Sequence, residues 1–178
     1  MIRIFIIFLL FPCVIFATPA AQLSALLNQF HTFHANFTQK TEDRAHRVVS
    51  SSEGRVTITR PGKFYWETLR PMHQIVTLNN NTIKIYDVDL AETTEQPMQA
   101  GPVNPAALLA SSDVDLLQQF EITENTKGSS QIFTLTPKNN KDEAQFKSIQ
   151  LIFVNQTLSQ IIIHDTLSQT NVFSFTKK

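Results

Sequence analysis

The sequence contains a single cysteine, and that residue lies in an apolar run near the N-terminus. Residues 4–16 are uncharged and largely apolar, Arg3 precedes them, and Ala17 follows as a small residue suited to cleavage. The run that holds Cys13 is too short for a comfortable membrane span and is typical of a secretory signal peptide. We therefore predict that residues 1–17 are a cleaved signal peptide and that residues 18–178 form one exported domain. Without Cys13, such a domain can form no disulfide.

A lipid-attached cysteine is the alternative interpretation of Cys13. Bacterial lipid attachment prefers small residues immediately before the modified cysteine, whereas Phe11 and Pro12 occupy those positions here. This context favours a cysteine that is discarded with the signal peptide.

Glycine is also scarce, and the glycine-dependent motifs of enzymes are missing. The sequence has four glycines and contains neither a G-x-S-x-G nucleophile elbow nor a Walker-type phosphate loop. His31 and His34 are close enough in sequence to share a metal ion, but no third ligand is indicated, so we interpret them as polar surface residues. We predict a protein that is not an enzyme and that uses no metal and no cofactor.

An excess of charge of either sign is absent as well. Lysine plus arginine and aspartate plus glutamate each number 15, so the formal charge is zero and loss of Arg3 changes it by only one unit. This balance excludes the basic stripe typical of nucleic-acid binding. Phenylalanine is abundant, with 14 residues against one tryptophan and two tyrosines. A chain rich in phenylalanine and poor in glycine favours thick apolar packing or an apolar cavity.

The apolar pattern changes period along the chain. Leu23, Leu27, Phe30 and Phe33 recur at helical spacing, which predicts a helix over residues 20–33. Alternation with a period of two then predicts a series of strands. These strands are expected at 35–41, 55–59, 64–68, 74–78, 82–87, 90–96, 120–124, 131–136, 146–154, 157–164 and 172–176.

Turn and capping residues separate these elements. Pro61 and Gly62 predict a turn over residues 60–63, and short helices are expected at 106–110 and 113–119. Further turns are predicted at 79–81, 139–140 and 155–156, and helix starts at Asn104-Pro105 and Ser112.

Together these elements predict a mainly β fold of the α+β class. We expect an incomplete antiparallel β-barrel of about ten strands, with the N-terminal helix and the central short helices as a lid over a hydrophobic cavity. Each apolar side chain on the inner face could equally be ordinary core, so the pattern alone leaves open which residues line the cavity.

Two segments carry a resemblance to a known family. Phe33–Gln39 has the pattern F-x-A-x-F-x-Q, and Arg60–Trp66 has the pattern R-P-x-x-F-x-W. Tyr86-Asp87, Asn104–Leu109 and Leu135–Lys138 follow in the same order. This series closely resembles the periplasmic outer-membrane lipoprotein carrier family, LolA, over residues 23–175.

The resemblance implies a function and a set of partners. Members of this family are periplasmic carriers with a helical lid over an incomplete barrel, and they bind the acyl chains of lipoproteins. They receive this cargo from an inner-membrane ABC transporter and pass it to an outer-membrane lipoprotein receptor. For this chain we therefore expect a periplasmic location, these three partners and a monomeric state.

The resemblance also implies roles for individual residues. Arg60 matches the family's arginine that hydrogen-bonds to the lid and keeps the empty form closed. The other matching positions are apolar and divide between the barrel face and the lid. Phe64, Trp66 and Val76 match the barrel face, and Leu27, Phe30 and Leu109 match the lid.

The sequence departs from the family pattern at two places. The segment between Gln96 and Asn104 is short, and Lys178 ends the sequence where family members usually continue with a further loop and strand. We expect such a chain to have a more open barrel edge and less strictly one-way transfer. A carrier of another lipid, or a lipid- or lipoprotein-binding sensor on the same fold, therefore stands as the alternative to a lipoprotein carrier.

Overall fold

The protein is an open antiparallel sheet with short helices on one side. The computed structural model describes residues 17–79, 82–97, 105–110, 114–138 and 146–177. The helices are α1 (Pro19–Asn28), α2 (Pro105–Ala110) and α3 (Val114–Gln118). The strands are β1 (Thr32–Glu42), β2 (Val48–Thr59), β3 (Lys63–Arg70), β4 (Gln74–Asn79), β5 (Thr82–Asp87), β6 (Glu92–Pro97), β7 (Phe120–Lys127), β8 (Ser130–Pro137), β9 (Phe146–Val154), β10 (Thr157–Asp165) and β11 (Thr170–Lys177).

The strands form one sheet that joins the two ends of the chain. The strand order is β6-β5-β4-β3-β2-β1-β11-β10-β9-β8-β7, so sequential strands are neighbours except β6 and β7, and β1 also pairs with β11. All the pairings are antiparallel. Strands β6 and β7 are the free edges, and α2 and α3 lie between them in sequence. The predicted incomplete antiparallel barrel is confirmed, with eleven strands in the described ranges.

One face of the sheet, the inner face, carries the apolar residues of the alternating pattern. Successive strands align these residues in rows, because side chains two apart share a face. The first row is Phe33, Ile58, Phe64, Leu78 and Ile83, and the second is Ala35, Val56, Trp66, Val76 and Ile85. The buried core extends over β8, β9 and β10 through Phe133, Leu135, Ile149, Leu151, Phe153 and Ile161.

Helix α1 is capped at its N-terminal end by Thr18. The Thr18 hydroxyl accepts a hydrogen bond from the Ala21 N–H at 3.3 Å, and Pro19 occupies the first helical turn, where no N–H is needed. Leu23, Leu26 and Leu27 are buried. None of the three helices in the described ranges has the length and apolar character of a membrane span.

The predicted C-terminal end of this helix is wrong. Helix α1 ends at Asn28 rather than at Phe33, and β1 begins at Thr32. Phe33 pairs with Ile58 across the sheet, and the His31 carbonyl accepts a hydrogen bond from the Arg60 N–H at 2.9 Å. Phe33 therefore belongs to the period-two series that continues through Ala35 and Phe37. Its helical spacing from Phe30 does not reflect a helix.

Two predicted turns are present, and other predictions lie outside the described residues. Gly62 has φ of +80° in the β2–β3 turn, a conformation that glycine adopts without strain. Asn155 and Gln156 both have positive φ between β9 and β10, as a two-residue hairpin turn of type I′ requires. The residues that are not described include 80–81, 139–140, Asn104 and Ser112.

Strand β2 is longer than predicted and contains a glycine at a point of close approach. It begins at Val48, before the predicted start at Arg55, because its polar first half pairs with β1. A Cβ atom placed on Gly54 would lie 1.9 Å from the Glu67 carbonyl oxygen and 2.8 Å from the Phe37 ring. Only glycine fits there without a backbone shift, and its absent side chain makes room for Phe37.

The opposite, outer face of the sheet holds a buried carboxylate. Glu67 is 3% exposed and lies among donors from three segments. One oxygen accepts hydrogen bonds from Arg55 Nε and from the Tyr65 hydroxyl at 2.8 Å, and the other lies 2.9 Å from His73 Nε2. The hydrogen bond from Arg55 outweighs burial and lowers the pKa of Glu67 from 4.5 to about 2.

Substitution Gly54→Ala should destabilise the protein by about 2 kcal/mol, because the added methyl group must displace backbone or the Phe37 ring. Urea unfolding followed by the fluorescence of the single tryptophan measures this loss. Ser50→Ala, at an exposed position of the same strand, should stay within about 0.5 kcal/mol of the parent. Equal stability of Gly54→Ala and Ser50→Ala would contradict the close approach.

The pKa of Glu67 predicts a specific acid sensitivity. A carboxylate whose pKa is lowered on folding stabilises the protein above its unfolded pKa of 4.5, and this contribution is lost as the pH falls through about 2. The melting temperature of the parent should therefore fall between pH 4.5 and pH 2. The melting temperature of Glu67→Gln should be lower than that of the parent at pH 4.5 and above, and it should change less as the pH falls. Glu95→Gln, which removes an exposed ion pair with Lys84, should follow the parent profile. Parallel profiles of the parent and Glu67→Gln would disprove the assignment.

Candidate functional site

An apolar cavity of about 300 Å³ lies between the inner face of the sheet and helix α2. Four of the seven residues predicted for the site line it. Phe64 and Trp66 come from β3, Val76 from β4, and Leu109 from α2. Alternation along β3 and β4 places the first three on one face, and α2 brings Leu109 to that face from the other side.

Trp66 is the centre of the aromatic wall of this cavity. Its ring stacks on Phe37 with centroids 3.9 Å apart and lies nearly parallel to Phe64 at 5.9 Å. Phe173 of β11 meets it edge-on at 5.4 Å. These contacts restrict the indole to one orientation, while its partial exposure leaves one side available to the cavity.

Six further residues line the cavity that the sequence analysis did not select. Three are apolar, namely Ile161 and Ile163 of β10 and Phe173 of β11, and three are the uncharged polar residues Gln39, Thr68 and Gln74. Their strands were predicted, and the alternating pattern gives the face of each. The missing information was the pairing of β1 with β11, which brings β10 and β11 opposite β3 and β4.

Leu27 and Phe30 do not line this cavity in the described structure. Leu27 is 2% exposed and belongs to the core beneath α1. Phe30 lies beyond the end of α1, packs against Phe33 with ring centroids 5.6 Å apart, and lies under the Arg60 guanidinium at 5.5 Å. Both residues therefore support the arrangement of the helices from outside the cavity.

Arg60 connects the β2–β3 turn to two helices. Its side chain is buried, with the residue 9% exposed. Nε donates to the Leu109 carbonyl at 2.9 Å, Nη2 donates to the Leu108 carbonyl at 3.4 Å, and Nη1 donates to Asn28 Oδ1 at 3.1 Å. One guanidinium thus holds the end of α1 and the end of α2 together.

The geometry of this contact explains why an arginine suits the position. The last carbonyls of a helix have no partner within the helix and carry partial negative charge. Arg60 donates to two of them, and the Gly62 N–H donates to a third, the Ala110 carbonyl, at 2.9 Å. The donors of a guanidinium lie on three nitrogens in one plane, so they can reach acceptors that are further apart than the single ammonium group of a lysine can. Burial lowers the pKa of Arg60 to about 10, so the group remains charged at neutral pH.

The polar groups around the site show no arrangement typical of a metal centre. The cavity lining contains no charged side chain among its described residues. Throughout the described ranges, no three histidine, cysteine, aspartate or glutamate side chains cluster as metal ligands would. His34, one of the two histidines considered above, has Nδ1 2.9 Å from the Thr57 hydroxyl. The arrangement can enclose apolar groups.

The sequence of this chain is similar to those of one family of known proteins. The family model described as outer membrane lipoprotein carrier protein LolA matches residues 28–178. An outer-membrane lipoprotein carrier protein of Coxiella burnetii (strain CbuK_Q154) is 41% identical over 157 residues, which cover 88% of this chain and 74% of that protein. The protein of the same description from Legionella pneumophila (strain Lens) is 36% identical over 170 residues, covering 94% and 83%.

A solved structure supports the same fold. The LolA superfamily protein of Nitrosomonas europaea superposes with a TM-score of 0.50 at 10% sequence identity, over 90% of this chain and 93% of that one. At this identity the similarity concerns the architecture of sheet and helices alone.

Replacement of Arg60 should loosen helix α2. Arg60→Leu removes three side-chain donors. If the free energy that favours the closed position of α2 falls by about 2 kcal/mol, the population with α2 open rises about 30-fold. Acrylamide should then quench Trp66 fluorescence more strongly than in the parent. Arg70→Leu is a matched control, because Arg70 also precedes a proline and, among the described residues, its side chain forms an exposed ion pair with Glu53 alone. Equal quenching in both variants would contradict a closing role for Arg60.

Proposed function

The chain belongs to the LolA family of outer membrane lipoprotein carrier proteins, and we propose that its cavity holds the acyl chains of a lipoprotein in transit. The observation that carries this proposal is the cavity itself, with Trp66, Val76 and Phe173 on the sheet, Leu109 on α2 and no charged side chain in the described lining. A site of this kind offers apolar burial and no reactive group.

Acyl burial sets the energetic requirement for such a carrier. Each buried CH₂ group contributes about 0.8 kcal/mol, so a lipoprotein does not leave a membrane for water unaided. The carrier must replace much of that burial while keeping the affinity low enough for release. A cavity of about 300 Å³ lies at the lower end of the range for small-ligand sites. Full loading of several acyl chains therefore requires α2 to move outward.

Arg60 is the proposed latch for this movement. Its hydrogen bonds to the Leu108 and Leu109 carbonyls hold α2 against the sheet, and Asn28 holds the guanidinium in place. A few hydrogen bonds of about 1 kcal/mol each are strong enough to favour closure of the empty form. They are weak enough for acyl burial to overcome. The latch thus couples occupancy of the cavity to the position of α2.

Location and partners complete the proposal. Residues 1–17 act as a cleaved signal peptide, and the mature protein works in the periplasm without enzymatic activity. It takes lipoproteins from an inner-membrane ABC transporter and passes them to an outer-membrane lipoprotein receptor. The neutral overall charge suits a carrier that must not remain on an anionic membrane surface.

Release of a triacylated lipoprotein from spheroplasts tests this function. The whole chain is expressed, the exported protein is purified from the periplasmic fraction, and its N-terminal mass distinguishes cleavage after Ala17 from lipid attachment. Added to spheroplasts, it should bring the lipoprotein into the supernatant as a soluble one-to-one complex. Trp66→Ser, which places a hydroxyl in the cavity wall, should reduce the released amount at least tenfold.

The control for this experiment is a change that leaves the cavity untouched. Tyr86→Ser alters another aromatic residue, on β5, that does not line the cavity, and it should release as much lipoprotein as the parent. A folded parent protein that leaves all lipoprotein in the membrane would disprove the carrier function. It would favour the alternative of a sensor or a carrier of another lipid.

A further inference from the structure

The cavity is apolar at one end and polar at the other. Along the inner face of β3, Phe64 and Trp66 are followed by Thr68, and along β4 Leu78 and Val76 are followed by Gln74. Thr68 and Gln74 are direct partners in the sheet register. Both strands therefore change from apolar to polar at the same level, away from α2. Together with Gln39 of β1, which also lines the cavity, these two residues form what we term the polar end.

The hydrogen bonding of the polar end leaves donors available. Ser52 Oγ donates to Gln39 Oε1 at 3.1 Å, and Gln39 Nε2 donates to Asn171 Oδ1 at 3.4 Å. This orients the Gln39 amide and uses one of its two N–H groups. In the described part of the chain, neither the Thr68 hydroxyl nor the Gln74 amide is engaged with another residue. The polar end can therefore donate to a ligand without breaking an existing contact of Thr68 or Gln74.

The absence of charge in the described lining restricts the ligand chemistry. A carbonyl oxygen of an ester or amide needs only hydrogen-bond donors, which hydroxyl and carboxamide groups supply. A carboxylate or phosphate that loses water there needs a cation, and the described lining contains none. The difference should appear as selection between ligands with the same acyl chain and different head groups.

We infer that Gln39, Thr68 and Gln74 bind the uncharged ester or amide group of the acylated ligand, so that the cavity selects neutral lipid anchors over anionic amphiphiles. The inference rests on the proposed function, because it concerns the same cavity. It adds an orientation, in which the acyl chains extend toward Leu109 and the linking carbonyl groups remain at the polar end. It also explains how a carrier could exclude the anionic lipids of a membrane.

Trp66 provides a direct measurement, because it is the only tryptophan in the chain and lines the cavity. The probes are lauroylglycerol, which has a neutral ester, and laurate, which has the same acyl chain and a carboxylate. Each is titrated, below its micellar concentration, into the exported protein purified from the periplasmic fraction, and Trp66 fluorescence gives the two dissociation constants. The readout is their ratio, which cancels the shared contribution of the acyl chain.

The double variant Thr68→Val/Gln74→Leu removes hydrogen-bonding groups with little change in size. Each neutral hydrogen bond contributes about fivefold in affinity. We therefore expect lauroylglycerol binding to weaken about five- to 25-fold and laurate binding to stay within about twofold. The matched control Thr77→Val/Gln150→Leu makes the same two changes on the other face, since the neighbours Leu78 and Leu151 point inward. This control should keep the parent ratio.

A second variant keeps the inference testable if the double variant does not fold. Gln74→Lys places a cation at the polar end and should strengthen laurate binding relative to lauroylglycerol binding by about tenfold or more. An unchanged ratio in both variants, with probes still binding, would overturn the inference and leave the carrier function intact. If neither probe changes Trp66 fluorescence in the parent, the cavity is not an acyl site, and the proposed function fails together with the inference.

Discussion

The contact between Arg60 and the end of helix α2 determines the form of the site. A helix of six residues has little stability of its own, since helices shorter than about a dozen residues are marginal in water. Its position therefore depends on tertiary contacts, and the carbonyls of Leu108, Leu109 and Ala110 are met by donors from the β2–β3 turn. The burial of Leu108, Leu109 and Ala110 follows from that attachment. Without it, the inner face around Trp66 and Val76 would lose the cover that Leu109 provides.

The sheet contributes a surface whose chemistry changes along each strand. Near α2 the inner face is closely packed by Phe64, Leu78 and Ile83, and one row further the side chains of Trp66 and Val76 are only partly covered. Beyond these, Thr68 and Gln74 replace apolar residues. The protein therefore combines firm packing at the lid with an unfilled space in the middle of the sheet. This is the arrangement expected when a cavity is retained for a ligand and is not closed by core packing.

The sequence predicted the elements that local patterns determine. Alternation identified the strands, the resemblance to the LolA family indicated Phe64, Trp66 and Val76 as barrel-face positions, and the turn at Pro61-Gly62 follows from backbone preferences. The end of α1 was missed because Phe33 fits both a helical spacing from Phe30 and the alternating series with Ala35 and Phe37. The polar end was missed because Gln39, Thr68 and Gln74 belong to the cavity only through strand pairing. Glu67 was missed because its partners come from separate segments, so no local signal marks it as buried.

The pairing of β1 with β11 has a consequence for how the chain acquires its structure. The cavity wall combines Trp66 and Val76 from the first half of the sheet with Ile161 and Phe173 from the second, and the β1–β11 pairing joins the halves. Contacts so distant in sequence form late and slow the folding of β-rich proteins. A chain emerging N-terminus first cannot complete the cavity until β11 has appeared. Its phenylalanine-rich strands therefore stay exposed throughout synthesis, which makes this interval the period of greatest aggregation risk.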